Sequence, residues 1–256
     1  HTWDYMGPSD SHFRPFVVAP TSLGTGTGSY WIIDGKVQGH RQVITDKRLS
    51  DLATRTGKNV ETPESARQME DIDVRLCHMA GLGIDIQVLQ PTIFIEQVTD
   101  RPEVEVALCR SYNRWLVDIW NQGNGRLRWV AVLPMLAIDE AVKELRKAVQ
   151  NGACGVFMRS LEANRTVDDP YFFPLYQEAS RLDIPIVIHN GNGTPAHLDL
   201  FRRYLGSSLG GFVSFRLTSV AAFHSIIMSG IPDQFPQLRF AVLESGSQWL
   251  PFALHD

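Results

Sequence analysis

The sequence predicts an α/β barrel, and three observations lead to this prediction. Short apolar segments alternate five times with single amphipathic segments between residues 84 and 244. Polar side chains follow the apolar segments at their C-terminal ends, where barrel enzymes keep their chemistry. No glycine-rich GxGxxG turn follows any of these segments, which argues against an open nucleotide-binding sheet.

Residues 8–60 are predicted to form a loop or lid insertion after the first strand of the barrel. Three prolines and the Gly/Thr/Ser-rich run 22–29 oppose long regular elements here. Within this region, residues 30–37 predict a hairpin, because Asp34-Gly35 is a favoured hairpin turn.

From Thr62 onward, regular elements follow one another. Apolar residues at helical spacing predict a helix over 62–79 that ends before two glycines. Five strands are predicted next, over 84–91, 127–133, 154–159, 184–189 and 238–244, with intervening helices over 102–120, 138–149, 171–182 and 212–228. Apolar strands joined by single helices predict right-handed crossovers and a parallel sheet that is buried on both faces.

Both a barrel and an open doubly wound sheet satisfy this alternation, and the strand-end residues distinguish them. The polar or turn residues at or just after the C-terminal ends of the strands are Gln90, Pro134, Arg159, His189 and Glu244. Contributions from several strands are typical of a barrel, whereas a nucleotide-binding sheet concentrates its signature in one turn. A single barrel domain over residues 1–256 is therefore predicted.

Composition excludes several functional classes. The net charge of −4 provides no basic surplus for nucleic acid. No apolar run reaches the roughly 20 residues of a membrane-spanning helix, and the N-terminus has no signal-peptide pattern. We therefore expect a cytoplasmic protein without a nucleic-acid or membrane partner. Cys77, Cys109 and Cys154 lie in apolar patterns, which predicts buried thiols and no disulfide framework.

His189 is the strongest candidate for a functional residue. An apolar strand delivers its imidazole to a C-terminal end, and Asn190 and two nearby glycines follow. Packing of the strand holds the rotamer, while the glycines leave room for a metal or a substrate, with Asn190 as a candidate substrate contact. The alternative is a histidine that only caps a core strand.

His189, Arg159 and Glu244 converge on one rim if the strands close into a barrel. A metal on His189 would polarise a carbonyl or lower the pKa of a bound water. Glu244 would then transfer a proton, and Arg159 would hold a substrate carboxylate. The alternative is an ion pair of Arg159 with Glu244 that only satisfies the rim. Trp3 and Trp249 are further candidates, as walls of a pocket for a flat substrate.

The order of these segments resembles the decarboxylase-like branch of the amidohydrolase superfamily, which contains aminocarboxymuconate semialdehyde decarboxylase and resorcylate decarboxylases. The resemblance runs from about residue 65 to the end of the chain. It is carried by MAGLGIDIQVLQPT at 79–92, SYNRWL at 111–116, VAVLP at 130–134, GVFMR at 155–159, DDPYF at 168–172, the strand ending at His189, and FPQLR at 235–239 leading to ESG at 244–246.

The resemblance implies a (β/α)8 barrel of the metal-dependent hydrolase type that is incomplete at both ends of this sequence. By this comparison the first strand and the last two strands lie outside the chain, so a longer protein is expected. The implied cofactor is one divalent metal ion, zinc or in some members manganese. His1 matches a ligand at the end of the first strand and His189 matches the ligand from the fifth, while the family's eighth-strand aspartate has no match here.

Glu244 departs from the decarboxylases, which have a histidine in that place. A carboxylate changes the proton chemistry, so decarboxylation, hydrolysis and hydration stay open. The expected function is a metal-dependent enzyme, a hydrolase or a carboxy-lyase, that acts on a small carboxylated or aromatic molecule with a metal-bound water and Glu244. The resemblance also implies a homodimer. The alternative is a catalytically inactive barrel that serves as a scaffold or a ligand-binding subunit.

Overall fold

The computed structural model describes residues 2–18, 29–41, 62–189 and 217–255, together with residues 51 and 54. Two short 3-10 turns, Thr2–Tyr5 and Pro8–Phe13, open the described chain.

An antiparallel sheet of β1 (Phe16–Val18), β2 (Ser29–Ile33) and β3 (Lys36–Arg41) follows these turns. The predicted hairpin is confirmed: Asp34 and Gly35 both have positive φ, at 50° and 72°, as a tight two-residue turn requires. Strand β1 was not predicted, because three residues between prolines carry no periodic signal. The role of this region as a lid stays a prediction.

The helix predicted over 62–79 is two helices, α1 (Glu64–Arg67) and α2 (Ile72–Gly81). Met69 between them has φ 55°, in the left-handed region that ends a helix. The side chain of Asp71 then accepts a hydrogen bond from the Val74 N–H at 2.9 Å. This N-cap starts a new helix, because it satisfies one of the free N–H groups of the first turn.

The alternating strands and helices are confirmed, with small changes in most bounds, but the strand predicted over 84–91 is shortened to three residues. In chain order they are β4 (Gln87–Leu89), α3 (Pro102–Gln122), β5 (Leu127–Val132), α4 (Ile138–Gln150), β6 (Ala153–Arg159), the small hairpin β7 (Leu161–Glu162) and β8 (Arg165–Thr166), α5 (Phe173–Arg181), β9 (Ile186–His189), α6 (Thr218–Met228), α7 (Ile231–Gln234), β10 (Phe240–Leu243) and α8 (Leu250–Ala253). Residues 212–216 of the last predicted helix lie outside the described residues.

Five of these strands form one parallel sheet in the order β4, β5, β6, β9, β10. The order never reverses, so right-handed crossovers place successive helices on one face, as in a barrel and unlike a doubly wound sheet. Ion pairs between neighbouring helices agree with this arrangement: Arg110 of α3 contacts Glu140 of α4 at 2.7 Å, and Arg146 of α4 contacts Glu178 of α5 at 2.8 Å. Closure into an eight-stranded barrel stays a prediction.

Close packing aligns the strand ends. A Cβ atom on Gly155 would lie 2.8 Å from a methyl group of Val187, so only glycine allows β6 and its neighbour to pack at this distance. The buried side-chain amide of Asn113 bonds both backbone groups of Val132, with Nδ2–O 2.9 Å and Oδ1–N 3.0 Å, and so satisfies the end of β5.

The prediction that the cysteines are free is confirmed, whereas the prediction that they are buried is correct for one of them. All three cysteines are free, as predicted, but only Cys109 is buried; Cys77 and Cys154 are exposed, which corrects the prediction of buried thiols. Cys77 lies on the solvent side of helix α2, and Cys154 lies near the start of strand β6. An apolar sequence segment can still contain single exposed positions, so the pattern did not reveal them. Across the described residues, no helix is long and apolar enough to cross a membrane.

Candidate functional site

His189 lies at the C-terminal end of β9, between the ends of two neighbouring strands. It pairs in register with Arg159 of β6 on one side and with Leu243 of β10 on the other. The residue is 4% exposed, and its ring centroid lies 5.6 Å from that of Phe157. The sheet therefore holds the imidazole in one place, as the sequence predicted for a strand-end group.

Glu244 follows β10 directly and brings a carboxylate to the same edge of the sheet. Its Oε2 lies 4.0 Å from Nε2 of His189, at the outer limit of an ion pair and longer than a hydrogen bond. The Glu244 side chain is 64% exposed, whereas that of His189 is 5% exposed. Glu244 also has φ 58°, a conformation that costs free energy and is often found at functional sites.

The turn after Glu244 is held by Trp249. The indole N–H of Trp249 donates to the carbonyl of Gly246 at 2.9 Å and to that of Ser245 at 3.2 Å. Its ring packs edge-on against Phe223 of α6, with 5.0 Å between centroids. Trp249 therefore lies beside the predicted site, with its donor group bonded to the protein itself.

Arg159 is buried and its guanidinium contacts protein groups. It forms a very short ion pair with Glu162, lies 3.9 Å from Glu105, and donates to the carbonyls of Phe94 and Glu96 at 3.0 and 3.3 Å. Burial opposes its charged form, but Glu162 and Glu105 outweigh burial and hold the pKa of Arg159 above its ordinary value. An ion pair is present, as in the structural alternative, but with Glu162 and not with Glu244. A substrate contact for Arg159 stays a prediction.

Glu105 was missed by the sequence interpretation. Burial raises its pKa to about 7, and its Oε2 accepts the N–H of Leu136 at 2.7 Å. A signal was present: Glu105 shares the buried face of α3 with Leu108, Cys109 and Tyr112, at spacings of three, four and seven residues. A carboxylate on such a face predicts a buried cationic partner.

Of the remaining predicted site residues, Trp3 is among the residues that the structure describes, and two others are not. Trp3 is 6% exposed and packs edge-on against Trp31, with 6.1 Å between ring centroids. His1 and Asn190 lie outside the described residues, so the predicted pairing of His1 with His189 is untested.

The donor set fits a divalent metal in kind. Among the described residues, no group of three or more His, Cys, Asp and Glu side chains is placed to hold a metal ion. Two neighbouring strand ends nevertheless supply an imidazole and a carboxylate, which are ligand types that zinc and manganese accept. His1 is the further donor that the sequence predicts.

Consecutive parallel strands with an imidazole and a carboxylate at adjoining C-terminal ends define an α/β protein with a parallel sheet, whose candidate functional residues lie at the strand ends. The chain belongs to the Amidohydrolase family, whose family model matches residues 10–256. The predicted resemblance is confirmed.

Curated relatives support the decarboxylase-like branch. The chain is 24% identical over 185 residues to 2-amino-3-carboxymuconate-6-semialdehyde decarboxylase of Dictyostelium discoideum, a match that covers 72% of this chain and 50% of that protein. It is 26% identical over 226 residues to gamma-resorcylate decarboxylase of Rhodococcus jostii (strain RHA1), covering 84% of this chain and 68% of that protein. The match thus spans about half the length of the first relative.

Solved structures share the fold. An amidohydrolase from Mycobacterium avium subsp. paratuberculosis K-10 aligns with a TM-score of 0.71 at 16% identity, covering 99% of this chain and 71% of that one. A dihydroxybenzoic acid decarboxylase from Polaromonas sp. JS666, with bound manganese and an inhibitor, aligns with a TM-score of 0.57 at 20% identity, covering 80% of this chain and 65% of that one.

Proposed function

We propose that this chain belongs to a metal-dependent enzyme that acts on a small carboxylated or aromatic molecule, by decarboxylation or hydrolysis. The reacting groups lie at the C-terminal ends of its parallel strands. The observation that carries the proposal is the pair of His189 and Glu244 at the C-terminal ends of adjacent parallel strands, 4.0 Å apart. Family membership and two decarboxylases among the curated relatives support it.

His189 and His1 would hold the metal, zinc first and manganese second. The bound cation supplies a Lewis acid that polarises the oxygen atoms of a substrate. His189 is suited to this task because packing against the neighbouring strands and Phe157 fixes the imidazole. The Polaromonas structure supports the choice of a divalent metal of this kind.

Glu244 would move the proton. Its carboxylate is largely exposed, so a substrate or a water molecule can reach it, while the strand end fixes its position. In hydrolysis it takes a proton from the attacking water and returns it to the leaving atom. In decarboxylation, the bond between the carboxylate carbon and the substrate carbon that carries it breaks, and carbon dioxide leaves. The electron pair of that bond stays on the substrate carbon, which then takes a proton from protonated Glu244.

Arg159 is proposed to position neighbouring residues, in addition to the predicted contact with a substrate carboxylate. It joins the end of β6 to the backbone at Phe94 and Glu96, and so fixes the rim beside His189. Trp249 likewise fixes the turn that follows Glu244, through its hydrogen bonds to the carbonyls of Ser245 and Gly246. Asn190, Trp3 and Trp249 as substrate contacts, and a homodimeric assembly, remain part of the proposal.

Metal analysis of variants tests the metal site. Purified protein is expected to hold about one zinc or manganese per chain, and His189→Ala to lose it. His224→Ala, which removes an exposed imidazole on α6, is the matched control and should retain the metal. A metal-free protein that added zinc or manganese cannot load would favour the inactive scaffold instead.

Activity assays separate the two reactions. Carbon dioxide release from hydroxybenzoates and enoic acids reports decarboxylation, and opening of cyclic amides and lactones reports hydrolysis. Glu244→Gln should keep the metal and lower kcat about a hundredfold or more, whereas Glu64→Gln, at an exposed position of helix α1, should change little. Full activity of Glu244→Gln would remove Glu244 from the mechanism.

A further inference from the structure

Helix α6 differs in composition from the helices that precede it. Its 11 residues, Thr218–Met228, include no Asp, Glu, Lys or Arg, whereas α4 (Ile138–Gln150) contains six such residues and exposes four of them. Charged side chains are usual on the outer face of a helix that packs on a sheet, because that face meets water. A helix that is apolar on every face is normally covered on every face.

The outward face of α6 is a largely apolar stripe that is exposed. Leu217, Ala221, His224 and Met228 follow one another at spacings of four, three and four residues, which places them on one side of the helix. All four are exposed, Leu217 at 45% and Met228 at 69%. Ile227, which is 50% exposed, lies beside them. Together these five residues form the α6 stripe.

The other sides of α6 have partners within the chain. Ile226 is 3% exposed on the side that faces the sheet. The Phe223 ring packs against Trp249 on one flank, with 5.0 Å between centroids, and the Ser225 hydroxyl donates to Asp168 on the opposite flank. Neighbouring elements thus approach α6 from three sides. The stripe is the remaining side, so a partner for it comes from outside this set of neighbours.

A cavity of about 250 Å³ lies beside the stripe, between α6 and the segment of the β7–β8 hairpin. Leu217 and Ala221 of the stripe line it on one side, and Leu161 and Val167 of the hairpin segment line it on the other. None of the described residues that line the cavity is charged. A cavity of about 150 Å³ is enough for benzene, so a flexible methionine side chain fits this larger one.

The positions of Met228 and the cavity indicate a second copy of this chain as the partner. Met228 lies two helical turns, about 10 Å, from Ala221 at the cavity. When two copies of α6 pack antiparallel about a two-fold axis near His224, each Met228 lies over the cavity of the other copy. A two-fold interface requires such reciprocal contacts. A stripe without acidic or basic residues also meets its own copy without repulsion between like charges.

The area of the stripe corresponds to a weak but specific dimer. Burial of the stripe and the cavity mouth in two copies removes on the order of 1,000 Å² of accessible surface, which is about the least that a specific interface needs. The small side chain of Ala221 allows the two helices to approach to about 8–10 Å between their axes. The expected dissociation constant is therefore in the micromolar range.

We propose that α6 is the interface between two copies of this chain, packed antiparallel, with Met228 of each copy in the cavity of the other. The two His224 side chains then face each other across the axis. The proposal rests on the homodimer that is included in the proposed function, for which it names the surface, and it does not depend on the metal or on the reaction.

Sedimentation velocity from about 0.1 to 100 µM tests the proposal, and the protein should change from monomer to dimer over this range. Met228→Glu puts a carboxylate into an apolar cavity, so the dimer should weaken at least about a hundredfold. Leu82→Glu makes the same kind of change at a 51% exposed leucine outside the stripe and should leave the dimer unchanged. The metal content of Met228→Glu should equal that of the wild type, which separates this test from that of the metal site.

Disulfide trapping provides a measurement that does not depend on weakening the dimer. His224→Cys places two thiols across the two-fold axis, and copper phenanthroline, as the oxidant, should join them into a covalent dimer. Lys143→Cys, at an exposed position of α4, is the control and should give no more covalent dimer than the wild type, in which Cys77 and Cys154 are exposed.

Four outcomes would each overturn the proposal. They are a monomer at every concentration, a dimer as strong in Met228→Glu as in the wild type, an equal loss of dimer in Leu82→Glu, and no more covalent dimer in His224→Cys than in Lys143→Cys. None of these outcomes bears on His189 or Glu244, so the proposed strand-end site is tested separately.

Discussion

Glu105 of α3 and Arg159 of β6 meet inside the protein, with Oε1 and Nη2 3.9 Å apart and both side chains 4% exposed. Glu162 completes this buried cluster with a shorter contact to the same guanidinium. The cluster ties the strand end beside His189 to the first turns of a helix. Its stability consequences can be measured even without a substrate.

The carboxyl of Glu105 makes stability depend on pH. Its pKa is about 7 in the folded protein, above the value of 4.5 for an exposed glutamate. The folded state therefore binds the proton more tightly, and the stabilisation present below pH 4.5 is lost as the pH rises through 7, by up to roughly 3 kcal/mol. Gln still accepts the Leu136 N–H, so Glu105→Gln should remove this decline. Urea unfolding between pH 4.5 and 8 measures it, and parallel pH profiles of the two proteins would contradict it.

The pKa of Glu178 is shifted in the opposite direction, so its effect on stability has the opposite pH dependence. Hydrogen bonds from Arg181 and Arg146 lower its pKa to about 2. Its contribution is therefore full above pH 4.5 and is lost as the pH falls toward 2. Both arginines are more than half exposed, at 62% and 53%, so Glu178→Gln should cost only about 1–2 kcal/mol at pH 7.

Urea unfolding at pH 7, 5 and 3 tests the Glu178 prediction, and the difference from wild type should shrink at pH 3. Asp183→Asn, at an 86% exposed carboxylate, is the comparison and should change stability by less than about 0.5 kcal/mol. An equal loss at every pH would mean that the ionised carboxylate is not the cause.

The parallel sheet could be predicted from the sequence because its signals are local. The strands that end at Arg159 and His189 are short apolar runs between amphipathic segments, and such runs have few other structures available. The break at Met69 was missed, because a single residue with positive φ does not interrupt an apolar pattern.

The site was predictable only in part, because partners across the fold leave no mark in the local sequence. His189 and Glu244 follow from strand ends that a parallel sheet must align. The burial of Arg159 between Glu162 and Glu105 depends on a helix about 55 residues earlier in the chain. The ion pairs of Arg159 could therefore not be predicted from its position at the end of a strand.

Gly152 tests the packing of the layer that supports the sheet. It has φ 84°, and a Cβ atom there would lie 2.3 Å from the indole of Trp120. Gly125 has φ 73° and open space around it, so Gly125→Ala isolates the cost of the backbone conformation, about 1–2 kcal/mol. Gly152→Ala should cost at least about 2 kcal/mol more, because the rigid indole must move. Equal losses in urea unfolding would show that Trp120 moves freely.

The indole N–H of Trp249 should control turnover through Glu244. It bonds the two carbonyls that follow Glu244, at Ser245 and Gly246, and so fixes a turn with positive φ at Glu244 and at Gly246. Trp249→Phe keeps an aromatic ring against Phe223 and removes the N–H donor together with one ring of the indole. If positioning is its role, kcat should fall about tenfold with KM nearly unchanged, and amide exchange at 244–246 should become faster. A rise in KM at constant kcat would assign Trp249 to substrate binding instead.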